Sequence, residues 1–223
     1  MATVAAARTQ EERSESARRA IRQAALELFG INGYEATSLS MISLRAGYSR
    51  ALAQYHYPDK AALARELLQE RISRDIHLDL LQCGPATTPP EAWAMLRNHL
   101  ALVADYYSNL HGAAAQSDAL RGEMALHQAA LLAGDEGLRL KVGALTAELV
   151  KRIEAILKCC RDGRLIRPEV EPHAAAVLHV HSIWGLAQAL FANPKGVRQV
   201  RLAFDQLGLL LEGMLVDRTE GAS

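Results

Sequence analysis

The chain has 223 residues, half of them hydrophobic, and its 25 Lys and Arg are balanced by 25 Asp and Glu. That length and apolar content exclude a disordered chain and a disulfide-stapled miniprotein, while a formal charge of zero argues against binding nucleic acid through bulk positive charge. Aromatic residues make up 5%, alanine and leucine abound and β-branched runs are missing, so an all-α fold is expected.

Cys83, Cys159 and Cys160 form no C-x-x-C pair, and an odd count fits a reducing compartment, so a cytoplasmic location is expected. The N-terminus lacks a signal-peptide core, and the apolar runs stop well short of the roughly 18 residues of a membrane span, so neither export nor membrane insertion is expected.

Residues 1–12 are small and polar and read as an arm, with the first helix starting near Ser14. Ile21, Ala24, Ala25, Leu28 and Phe29 recur at helical spacing, and Gly30 with Asn32-Gly33 ends the pattern. Thr37 or Ser38 offers an N-cap to a short helix carrying Leu39, Ile42 and Ala46, which Gly47 closes. Ser49 caps another that runs to about Tyr57, where Pro58 blocks continuation. Two short helices separated by a glycine turn form a helix-turn-helix. Asp59 caps a fourth, longer helix through Leu63, Leu67, Ile72 and Leu80.

Residues 83–90, with Gly84, Pro85, Pro89 and Pro90, make the clearest break. A fifth helix follows through Trp93, Leu96, Leu100, Val103 and Tyr107; residues 108–117 read as a short helix or a loop, and residues 120–132 as helix. Residues 138–160 form a long amphipathic helix ended by Asp162-Gly163. Glu171-Pro172 opens the next, which stops at Asn193-Pro194, and the last runs over residues 195–216. The expectation is about nine helices, a small N-terminal module followed by a larger bundle.

In the third helix Ala53 and Tyr57 share the inward side, leaving Ala51 and Tyr55 outward between Leu52 and Gln54, with Arg50 free to swing past the helix end. Residues 36–58 contain no Asp or Glu, yet Thr37, Ser38, Ser40, Ser43, Arg45, Ser49, Arg50, Gln54, Tyr55 and His56 can all donate hydrogen bonds. Such a surface suits a phosphate backbone. The zero net charge also divides. Residues 1–60 hold eight basic and six acidic side chains, a net of +2, and the remainder seventeen and nineteen, a net of −2.

Residues 18–66 resemble the tetracycline-repressor (TetR) family of transcriptional regulators. The match runs through Ile21, Ala24-Ala25, Leu28-Phe29, Gly33-Tyr34, Ala36-Thr37-Ser38, Ile42 and Ala46-Gly47-Tyr48-Ser49-Arg50, then Tyr55-His56-Tyr57-Pro58-Asp59-Lys60 and Leu63. Asp162-Gly163-Arg164-Leu165 leading into Ala174, Ala175 and Gly185 looks like the family's penultimate-helix region. The resemblance implies a flexible arm over residues 1–12, a DNA-binding domain over 13–60, and an effector-binding and dimerisation domain over 61–223. It implies phosphate contacts from Thr37, Ser38, Ser49, Gln54, Tyr55, His56 and Lys60, and base reading by Ser40 and Arg50, with Leu52 either against a thymine methyl or simply packed. Three positions depart from the family: Gln54 stands where tyrosine is usual, Tyr57 where phenylalanine is, and Ala51 where glycine is frequent.

A module of this size touches one half-site, so a homodimer on double-stranded operator DNA is implied, its recognition helices about 34–36 Å apart. The expected dimer seam is Leu178, Gly185, Ala189 and Ala192 on one helix and Phe204, Leu207, Leu211 and Leu215 on the next. A small-molecule effector is implied for the bundle, with Trp93, Leu100, Tyr107, Met124, His127, Leu145, Leu149 and Trp184 as candidate lining in a mostly apolar pocket. The expected activity is a ligand-responsive repressor, not an enzyme, with no catalytic residues, cofactor or metal. The competing reading is a metal-dependent helical bundle using Glu123 and His127, which stand one turn apart. It is weakened because His179 and His181 diverge on a helix and no second Glu-x-x-His exists.

Overall fold

The computed structural model describes residues 9–75, 80–109, 114–132, 135–192 and 196–216. Among them are nine helices: α1 (Gln10–Asn32), α2 (Leu39–Arg45), α3 (Arg50–His56), α4 (Lys60–Asp75), α5 (Pro89–Asn109), α6 (Ala114–Leu132), α7 (Glu136–Asp162), α8 (Pro172–Ala192) and α9 (Val197–Glu212). The fold is all-α, as composition requires.

Helix α1 begins at Gln10, a turn earlier than expected. Thr9 supplies a reciprocal cap: Glu12 N–H donates to Thr9 Oγ1 at 3.2 Å and Thr9 N–H donates to the Glu12 carboxylate at 2.8 Å. Two orphan donors are thereby satisfied, which is enough to extend the helix into a polar stretch. The other end stops as predicted, at Gly33 with φ +80°. Residues 1–8 of the expected arm, and the expected stop at Asn193-Pro194, lie outside the described residues. Of the ambiguous stretch, α5 runs to Asn109 and α6 begins at Ala114.

The chain gathers into two compact units. The first holds residues 1–68 and 114–139, the second residues 69–113 and 140–223. In the first, α6 lies along α1, and a Cβ at Gly122 would land on the Leu26 backbone carbonyl. Only a glycine lets the two backbones approach so closely. The sequence had placed α6, with Met124 and His127, among the bundle helices.

In the second unit α9 packs on α5 and α8. Phe204 stacks on Tyr107 at 6.3 Å, Arg97 pairs with Glu212 at 3.2 Å, and Arg201 reaches Asp105. An antiparallel bridge between Ile166 and Leu215 joins the turn after α7 to the segment after α9. The α9 part of the expected dimer seam needs correcting. Phe204 is only 2% exposed, and Leu207 and Leu211 are buried with it against the bundle. The outward leucines are Leu202, Leu209 and Leu210, with Leu209 63% exposed. Helix α9 is apolar on two sides, and sequence periodicity alone does not say which side meets the core.

Candidate nucleic-acid interface

The site is built on α2, α3 and the turn between them. Ser38 Oγ accepts from Met41 N–H at 3.2 Å and Ser49 Oγ from Leu52 N–H at 3.2 Å, so each hydroxyl caps its helix and keeps its proton for an outside acceptor. Gly47, at φ +77°, makes the turn. Ala53 and Tyr57 anchor α3 inward, both essentially without exposure. Tyr57 donates to Glu66 at 2.9 Å, and the same carboxylate receives Arg18 at 2.9 and 3.0 Å and Arg22 at 3.0 Å. Burial pushes the Glu66 carboxyl up, but the hydrogen bonds from Tyr57, Arg22 and Arg18 outweigh it and hold the group below its usual range.

With α3 pinned from behind, Arg50, Ala51, Gln54 and Tyr55 face outward, and Tyr55 is 80% exposed. Ser38, Ser40 and Ser49 are exposed beside them and Leu52 is half-buried. Arg45, the other cation of the acid-free segment, is tied to Glu27 at 2.8 Å. Arg50 pairs with no carboxylate among the described residues.

Two expected phosphate donors are engaged internally. Thr37 is 2% exposed, and its hydroxyl donates to the carbonyls of Gly33 at 2.8 Å and Leu28 at 3.3 Å. This corrects its expected role: Thr37 ties the α1 terminus to the start of α2. Lys60 Nζ donates to the Tyr34 carbonyl at 2.7 Å and sits 4.1 Å from that ring's centroid. Its charge steadies the turn after α1. His56 is half-buried, 5.2 Å edge-on from Tyr55, with Nε2 turned inward. Burial, and then Arg18, lower its pKa, so near neutral pH it offers a hydrogen bond without a charge.

Sequence reasoning missed the first half of α1. Residues 9–20, with Gln23, line an open cleft of about 2040 Å³ whose other wall is Tyr48, Leu52, Tyr55 and His56. Arg13, Ser16 and Arg19 thus stand beside the outward face of α3. The readable signal was the Thr9-Gln10-Glu11-Glu12 capping pattern, which starts a helix where an arm was expected.

Residues 21–67 match the tetR family of bacterial regulatory proteins. A relative, the HTH-type transcriptional regulator AcrR of Shigella flexneri, is 25% identical over 210 residues, 94% of each chain. Over residues 21–67 the chain therefore carries a segment similar to the N-terminal region of tetR-family transcriptional regulators. Solved structures similar to the chain include SmeT of Stenotrophomonas maltophilia in complex with triclosan, with a TM-score of 0.65 at 22% identity over 91% of this chain and 93% of that one. Another is NalD, the secondary repressor of the MexAB-OprM multidrug efflux pump in Pseudomonas aeruginosa, with a TM-score of 0.63 at 22% identity over 93% of this chain and all of that one.

The metal-bundle alternative is not favoured, since the matches are to transcriptional regulators. Glu123 and His127 are buried on α6, His179 is buried while His181 is exposed, and no group of three or more His, Cys, Asp or Glu is placed to hold an ion among the described residues. Nor is any described helix long and apolar enough to cross a membrane.

Proposed function

We propose that the protein is a cytoplasmic homodimeric repressor that reads a palindromic operator through α3 and is released by a small apolar effector. The observation that carries this reading is the outward face of α3, where exposed Arg50, with Gln54 and Tyr55, lies beside two serine-capped helix starts on a segment without a carboxylate. Arg50 takes guanine O6 and N7 together, while Ser38, Ser49 and Tyr55 fix the register on phosphates.

The dimer seam is the outward side of α8, with Leu178, Gly185 and Ala189, beside Leu202, Leu209 and Leu210 of α9; all six are exposed on the single chain. The effector site lies in the second unit, where Trp93, Leu100, Tyr107 and Leu149 are buried and Leu145 and Trp184 half-buried. SmeT's complex with triclosan and NalD's role as repressor of an efflux pump support an apolar, aromatic-compatible ligand. Selection from random duplexes at moderate salt is the direct test. A two-fold site with half-site centres one helical turn apart is the expected result, and binding without sequence preference overturns the reading.

A further inference from the structure

At one end of the second unit the last turn of α7 lies against residues 83–89. Cys159 Sγ donates to the Thr87 carbonyl at 3.4 Å and Cys160 Sγ to the Pro89 carbonyl at 3.5 Å. Gly163 approaches Pro89 so closely that a Cβ there would overlap the proline ring. Residues 84–87 close on themselves: Thr87 N–H donates to the Gly84 carbonyl at 3.0 Å, and Gly84 N–H to Thr87 Oγ1 at 2.9 Å. Thr87 thus holds both sides together: its side chain takes the N–H of Gly84, the residue after Cys83, and its carbonyl takes the Cys159 thiol, so Cys83 stands in the same cluster and its thiol helps to raise that of Cys159. Each is half-exposed, whereas Cys160 is buried.

We propose that Cys83 and Cys159 form a peroxide-oxidisable dithiol that closes reversibly into an intrachain disulfide. The adjacent pair Cys159-Cys160 is a poor alternative, because neighbouring Cα atoms stand about 3.8 Å apart, below the roughly 4.4–6.8 Å of ordinary disulfides. Burial, with the two neighbouring thiols adding, pushes the Cys160 thiol up to about 12, leaving it protonated and inert. Burial likewise raises Cys159, with Cys83 adding, which suits Cys159 to the resolving step.

The chemistry balances with one hydrogen peroxide. The Cys83 thiolate attacks one peroxide oxygen; the S–O bond forms, the O–O bond breaks, and the departing hydroxide takes up the thiol proton as water. Cys159 sulfur then attacks Cys83 sulfur, the S–S bond forms, the S–O bond breaks, and hydroxide leaves with the Cys159 proton as a second water. Two electrons pass from sulfur to peroxide, and a dithiol reductant reverses the change. This inference stands apart from the DNA-binding reading and survives its failure.

The test treats the purified full chain with a small excess of hydrogen peroxide, blocks remaining thiols by alkylation and maps the peptides by mass. The expected result is a Cys83–Cys159 linked peptide about 2 Da lighter than the two reduced halves, one alkylated cysteine remaining, and full reversal by dithiothreitol. Cys160→Ser keeps the link, and Cys83→Ser and Cys159→Ser each abolish it. The wild-type map decides the matter even if a variant folds poorly. Sulfinic acid accumulating on Cys83, chains linked to one another on a non-reducing gel, or three thiols surviving treatment would each overturn the proposal.

Discussion

At the residue scale, two cations that look alike in sequence are put to different uses. Arg50 is exposed and pairs with no carboxylate among the described residues, whereas Lys60 is bound to the Tyr34 carbonyl and ring. Arg50→Ala is therefore expected to cost about 1–3 kcal/mol of operator affinity and to relax one base position, with the thermal midpoint unchanged. Lys60→Met is expected to lower thermal stability, because it takes the shorter of two hydrogen bonds from the Tyr34 carbonyl, leaving only that from Thr37 N–H, and removes the cation over the ring. Calorimetry paired with binding titrations separates the two, and equal behaviour would contradict the assignment. His179 carries a different consequence. It is 2% exposed, 5.9 Å from the His99 ring, and burial, with His99 adding, pushes its pKa down to about 3. The unfolded chain binds this proton below about pH 6.5 and the folded chain does not. Stability is thus intact above that pH and falls as the medium is acidified towards 3. Between pH 7 and 5 urea denaturation should show a loss of up to about 2 kcal/mol, smaller where the site relaxes. His179→Leu should flatten that slope; an unchanged slope would show that other groups set it.

At the element scale, helix existence was legible and helix partnership was not. Every expected helix is present because its signals are local: Ser38, Ser49 and Asp59 cap as read, and Gly33 and Gly47 adopt the positive φ that glycine allows. The expected inward pair, Ala53 and Tyr57, follows from the 100° step of α3 and is buried. Partnership depends on residues distant in sequence. Nothing near Gly122 announces that its missing side chain admits Leu26, and nothing near Thr37 announces that its hydroxyl is spent on carbonyls of the preceding helix end. The same gap misled the reading of α9, where two apolar sides compete for one core. Gly122→Ala is the decisive variant for the α1–α6 contact. It forces the backbones apart and is expected to destabilise the chain by about 1–3 kcal/mol, read as a lower denaturation midpoint. A neutral result would mean that the two helices do not pack at this distance in solution.

At the scale of the whole molecule, a neutral chain reads DNA only if a few placed contacts are used twice. The acid-free segment of residues 36–58 holds two arginines, and Glu27 occupies one of them. One copy therefore neutralises few phosphates, and its affinity for random duplex should be weak with a shallow salt slope. Doubling the half-site through a dimer makes the second contact intramolecular, a gain of roughly 100-fold or more without any new contact. The seam proposed on α8 and α9 can be tested against the core-facing side of the same helix. Leu209→Glu places a charge on an outward leucine and should leave the fold intact, shift the protein to monomer in sedimentation, and weaken operator binding by that factor of roughly 100. Leu207→Glu buries the charge in the bundle and should unfold the second unit instead, since an unpaired buried carboxylate costs several kcal/mol. A Leu209→Glu protein that stays dimeric and binds the operator normally would move the seam off α9.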